Sequence, residues 1–311
     1  MSAGSGFNPR VPFTRAEALE AGITPAGLRG RDYVRLHRNV YVSRRVTRTV
    51  AIRARAALKA APTGTVVSHH TAALLWGGTV PDSAEIHVRI PIASTLQMSG
   101  IRTHEIRGTS AVSRRVGLPV TSPEQTFLDM ATYLDLVQLV VLGDRLVRRR
   151  VTAPEHLLAA AQAWSGPNSP VLRRAAGLVR RGVDSAPESR LRMLIVLAGF
   201  PEPVVNYVIR DEVTGDWLRR FELAYPELRL AVEYEGRLHR EEDEVWDADI
   251  ERREDLDRRS WRVVQVISKG LFDNPIRTLQ RVDQARVDRG ASSMRGFSEE
   301  WRRYFPGQDV T

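Results

Sequence analysis

The chain contains no cysteine, and that absence removes disulfide bonds and thiolate metal sites from consideration. Any metal it uses must sit on carboxylates, carbonyls or imidazoles, which points to hard cations such as magnesium or manganese. Lysine is almost as scarce. Of 46 basic residues only Lys59 and Lys269 are lysine, the bias a GC-rich genome produces. No apolar run approaches the roughly 18 residues of a membrane span, and the opening MSAGSGFNPR lacks the apolar segment of a signal peptide. A soluble, cytoplasmic protein is expected. With 311 residues and 42% hydrophobic content, two or three domains can each bury a core.

What is present is unevenly spread. Residues 1–150 hold 21 basic and 10 acidic side chains (+11), and residues 151–311 hold 25 and 27 (−2), which together give the net charge of +9. A basic front half gathers polyanions and gains affinity from counterion release, so nucleic acid is the natural partner. Compositional drift would leave the same excess, and local structure has to decide.

In FTRAEALEAGITPAGLRGRDYVRLHRNVYVS, Thr14 and Glu17 form a capping box that starts a helix over 15–21, closed by Gly22. Thr24 is a second N-cap with Pro25 at the first helical position, which gives helix-turn-helix spacing. Val34, Leu36, Val40 and Val42 then alternate around a turn at Arg38 and Asn39, a small hairpin or wing. Arg29, Arg31, Arg35 and Arg38 lie on the second helix and the wing, where they can hold DNA phosphates; the competing reading is a helical module for protein contacts. Through FTRAEALEAGI, the Leu28-Arg29-Gly30 step and RLHRNVYV, this segment resembles the winged helix-turn-helix of AbiEi-type antitoxins of type IV toxin–antitoxin systems. The resemblance implies DNA binding and a cognate toxin as a possible partner. SHHTAALLWG and TSPEQTFLDMA resemble the region that accompanies such modules, so residues 1–50 are expected to be a winged helix and 51–165 an α/β connector. His69 and His70 are adjacent and cannot share a helical face, which favours a structural role. QAWSGPNSPVLRR reads as a linker to the last domain.

The last segment, about 180–290, reads as helix, three strands, helix, strand, helix. Ser185 and Glu188 fit a capping box for a helix over 186–197. RRFELAYPELRLAVEYEGRLH then sets acids on a strand pair. Glu233 and Glu235 share a face, and a four-residue loop at 226–229 brings Glu222 opposite Glu233, with Cβ atoms roughly 5 Å apart. Like charges so placed destabilise a sheet unless a divalent cation resolves the conflict. Two carboxylates with waters and a phosphate oxygen suit the octahedral preference of magnesium. A purely structural role for the three acids is the alternative.

The pieces PESRLR, RRFELAYPELRLAVEYEGRLH, Asp249-x-x-Arg252-Arg253-x-x-Leu256 and WRVVQVI resemble the PD-(D/E)XK restriction-endonuclease-like fold, in the branch of very-short-patch-repair endonucleases. The resemblance implies Glu188 as the helix carboxylate and Glu222, Glu233 and Glu235 as metal ligands for Mg2+ or Mn2+. It also implies that His239 orients or deprotonates the attacking water and that Arg252 or Arg253 holds a phosphate. Three departures stand out: Glu222 where aspartate is usual, Glu235 where lysine is common, and Ser260 where a glycine would precede Trp261. The expected class is therefore α/β (α+β), with a DNA-binding winged helix joined through the connector to a metal-dependent DNA endonuclease-like domain. The alternatives are a non-catalytic transcriptional regulator or antitoxin that retains the fold, and a nuclease acting on RNA or an unusual DNA structure.

Overall fold

Short capping signals set the first elements. In this computed structural model, which describes residues 6–105, 111–211, 213–236 and 260–307, strand β1 (Phe13–Thr14) leads into helix α1 (Arg15–Glu20). Both halves of the capping box are made: Thr14 Oγ1 accepts from Glu17 N–H, and Glu17 accepts from Thr14 N–H. Helix α2 (Pro25–Arg29) starts on Thr24 as expected, but it is only five residues long, about 7.5 Å. Strands β2 (Tyr33–His37) and β3 (Val40–Ser43) form the hairpin, turned by Asn39 at φ 62°, a conformation asparagine tolerates. β1 adds to β3, and Phe13, Ala18 and Leu28 fill the core beneath this three-stranded sheet.

Helix α3 (Val50–Ala60) packs its buried Ala54, Ala56 and Ala57 between that sheet and a second one. The second sheet holds β4 (Val66–Val67), β5 (Ile86–Ile90), β6 (Ile101–Glu105), β7 (Val112–Arg115) and β8 (Leu118–Thr121), in the order β6-β5-β4-β8-β7 with mixed pairing. Helix α4 (His69–Leu75) precedes β5, and α5 (Pro123–Met130) starts on the Ser122 cap. The next helix, α6 (Leu136–Arg148), belongs by its contacts to the second unit; α7 (Pro154–Ala163) and most of α8 (Ser169–Leu178) return to the first. The sequence read as a linker is ordered instead. Trp164 Nε1 donates to Pro167 O, Asn168 Nδ2 donates to Ala131 O, and α8 begins at Ser169, so Gly, Pro, Ser and Asn here encode a turn and a helix start. The first unit comprises residues 1–134 and 149–177, and the second 135–148 and 178–311.

In the second unit α9 (Ala186–Leu197) starts on Ser185, and Gly199 follows its end at φ 91°. Strands β9 (Val204–Arg210), β10 (Trp217–Tyr225) and β11 (Leu230–Glu235) form an antiparallel meander, and β12 (Arg262–Ile267) pairs parallel to β11, giving the order β12-β11-β10-β9. Parallel pairing requires a crossover, and the charged helix expected over 240–258 lies outside the described residues. Helix α10 (Pro275–Val287) packs on β11, β12 and α9. The class is α+β with mixed sheets.

A buried ionic network sets the position of α9. Arg192, with no solvent exposure, donates to Asp144 on α6 at 3.0 Å and to Glu202 at 2.8 Å, while Ser189 Oγ and the Arg180 N–H also donate to Asp144. Both terminal nitrogens of Arg192 and both oxygens of Asp144 are thereby engaged, while Arg192 Nε stays buried without a hydrogen-bond partner among the described residues, and the network ties α9 to α6.

Candidate functional site

Of the carboxylates predicted to gather in the second unit, Glu188 and Glu233 lie close enough for their charges to act on Glu222, from one helix and two strands. Glu188 sits in the first turn of α9 and is buried; its N–H bonds Ser185 Oγ at 3.2 Å, and its Oε2 accepts from the Asp184 N–H at 3.0 Å. It therefore caps the helix one residue further out than a standard capping box. Burial raises its pKa, opposed by these hydrogen bonds.

On the hairpin, the register Tyr225–Leu230, Ala224–Ala231, Leu223–Val232 brings Glu222 level with Glu233 at the next step. Here side chains take over from the ladder. The Tyr234 N–H donates to Glu222 Oε2 at 2.7 Å, and Glu233 Oε2 accepts from Arg219 Nη2 at 3.2 Å. Arg219 in turn lies over the Phe221 ring, 4.8 Å from its centroid. The opposed acids are thus not left bare: one meets a guanidinium, the other a backbone donor.

Glu222 remains the strained member of the cluster. Its carboxyl is pushed up to about 8, first by burial, then by the charge of Glu188, with Glu233 and Asp184 adding to it against the pull of the Tyr234 N–H. Asp184 is the acid that sequence reasoning missed. Its only signal was its place directly before the Ser185 N-cap, on a segment whose next acid, Glu188, must face inward. Glu235 is half-buried at the end of β11, in register with Ile267, and it is not among the charges acting on Glu222. His239, Asp249, Arg252 and Arg253 lie outside the described residues.

Carboxylate oxygens are the donors a hard divalent cation takes. Glu188 and Glu222 each give one oxygen to a backbone N–H, and Ser185 adds a side-chain hydrogen bond to Glu188. Among the described residues no group of three or more acids or imidazoles is placed to hold a metal ion, so a cation here would rest on at most two protein carboxylates, Glu188 and Glu222, with water completing its shell.

In the first unit, Arg29, Arg31, Arg35 and Arg38 are all exposed, at the end of α2, in the following bend, on β2 and in the hairpin turn. Nearby in sequence lies a second titratable cluster. His69 adopts φ 48°, and this left-handed start of α4 turns both adjacent histidines inward, correcting the expectation that they diverge. His69 stacks on His104 with centroids 3.6 Å apart, His70 lies 4.7 Å from His87, and His87 Nδ1 and His104 Nε2 share a hydrogen bond at 3.1 Å. Tyr133 meets all four rings edge-on. Burial, with the Arg89 charge beside it, holds His69 near 2 and His104 near 3, and burial holds His87 near 4, so the rings are neutral. Face-to-face stacking keeps ring nitrogens from converging on one point, and Arg89 is paired to the buried Asp129, so this cluster is built as core.

No family model matches the sequence. Over 223 residues, 70% of this chain and 81% of theirs, it is 26% identical to two relatives. They are the uncharacterized protein Rv2248 of Mycobacterium tuberculosis strain H37Rv and the uncharacterized protein MT2308 of strain CDC 1551. Among solved structures, the crystal structure of the RV2827C protein from Mycobacterium tuberculosis aligns with 65% of this chain and 84% of that one, at 16% identity and a TM-score of 0.39.

Proposed function

We infer that the protein binds DNA and that its second unit is a metal-dependent, endonuclease-like domain that hydrolyses phosphodiester bonds. The observation that carries this reading is the convergence of Glu188, Glu222 and Glu233 from a helix and two strands, with Glu222 held in a state that favours either a proton or a cation. The element order, with three antiparallel strands after a helix and a fourth strand parallel to the third, supports the restriction-endonuclease-like reading. Bound magnesium or manganese would supply Lewis acidity and an activated water. The chain's own residues do the rest. Tyr234 N–H and Asp184 N–H hold the Glu222 and Glu188 carboxylates in place, and Arg219 orients Glu233. The exposed arginines of α2 and the hairpin hold the DNA backbone; a helix of five residues is too short to lie far along a groove, so phosphate contact is their main role.

The second reading, a non-catalytic regulator or antitoxin with a cognate toxin as partner, is favoured by one observation. Arg219 already neutralises Glu233, as it would in a domain whose acids serve only the fold. Nicking of supercoiled plasmid with magnesium, with manganese and with chelator, alongside Glu233→Ala, separates the two. The nuclease reading expects metal-dependent nicking that Glu233→Ala abolishes; intact plasmid under every metal, together with salt-sensitive DNA binding, supports the regulator.

A further inference from the structure

An acidic site repels the phosphodiester it is meant to act on, so cationic groups must stand beside it. Two do, and both converge on Asp184. Arg148, the last residue of α6, donates its Nε to Asp184 Oδ1 at 2.7 Å, and Arg220 of β10 brings its Nη2 to Asp184 Oδ2 at 2.7 Å. Arg220 stands two residues before Glu222, so the two share a face of β10, and its charge also acts on Glu188. Asp184 in turn acts on Glu222. The trio carries a net charge of +1 at the edge of the carboxylate cluster.

Stability gives little reason for the arrangement. The arginine side chains are 50% and 48% exposed, and ion pairs of that exposure contribute little to stability. What Asp184 does achieve is orientation: two long side chains that stay about half exposed are tied to one carboxylate. A guanidinium so placed is suited to a phosphate, which it can grip with two parallel hydrogen bonds.

We propose that Arg148 and Arg220, oriented by Asp184, form the phosphate-binding edge of the second unit and seat the backbone of a DNA duplex beside the carboxylates. The inference rests on the nuclease reading of that cluster for its substrate. It adds a residue from α6, a helix distant in sequence from the acids, to the site.

The test is duplex binding by the full chain in chelator, so that no cleavage is needed, followed by fluorescence anisotropy across a salt series. The variants are Arg148→Ala/Arg220→Ala, Asp184→Asn, and both in a background where Arg29, Arg31, Arg35 and Arg38 are alanine. In that background the double arginine variant is expected to bind about tenfold more weakly, with a salt slope shallower by about 1–2. Asp184→Asn, which keeps both guanidiniums but loses the carboxylate that orients them, is expected to weaken binding less than the double arginine variant and to leave the salt slope unchanged. A purely structural clamp would instead make both variants lower the melting temperature and leave affinity and salt slope unchanged, and that result overturns the proposal. Because affinity is read without metal, a failure to nick plasmid would count against the nuclease reading alone.

Discussion

At the residue scale, Glu222 carries the account. Its carboxyl titrates near 8 in the folded chain against 4.5 as an isolated side chain, so the folded state takes up a proton more readily than the unfolded one. The sign follows: this contribution to stability is complete below about pH 4.5 and is lost as pH rises through about 8. Thermal melts of metal-free protein should therefore fall between these values. Glu222→Gln, which needs no proton, should melt about 2–6 °C higher at pH 8 while losing any cleavage. A drop in melting temperature for the amide would mean that the carboxylate is needed by the fold. Ser260 offers a second single-residue test. It stands at φ 55°, where glycine is unstrained, so Ser260→Gly should stabilise the chain by about 0.5–1 kcal/mol in urea titrations.

Between elements, buried polar contacts decide the arrangement. Arg192 joins α9 to α6 through Asp144, and Arg192→Ala leaves that carboxylate buried without its cation; a loss of about 3–5 kcal/mol is expected on chemical denaturation. In the first unit the stacked histidines are held neutral, so their burial favours the fold fully above about pH 6.5. That contribution fades as pH falls through the values near 4 and 3 of His87 and His104. Acid melts should show the first unit failing in that window, and imidazole NMR resonances that titrate normally near 6.5 would contradict it. These elements also mark how far the sequence could be read. Caps at Thr14, Thr24, Ser122 and Ser185 and the alternation on β9 to β12 were legible because they are local. The four-residue loop and the register that brings Glu222 level with Glu233 followed from loop length. The Arg219 contact to Glu233, the convergence of Arg148 and Arg220 on Asp184, and the turn of His69 into the left-handed region were not legible, because each depends on side chains or backbone angles set by distant packing.

For the molecule as a whole, charge is divided between the two units: the basic excess lies in residues 1–150 and the acid cluster in the second unit. That division fits a protein whose first unit holds DNA while the second carries the chemistry. The claim on which everything else depends is that the cluster takes a divalent cation in exchange for the proton on Glu222. The most direct measurement is calorimetric titration of manganese into the metal-free chain at pH 7 in buffers of different ionisation enthalpy, with Glu222→Gln beside it. The account expects binding that releases close to one proton at pH 7, that releases almost none above about pH 9, and that Glu222→Gln weakens severely. Absence of manganese binding, or binding that releases no proton and is indifferent to Glu222→Gln, would contradict it.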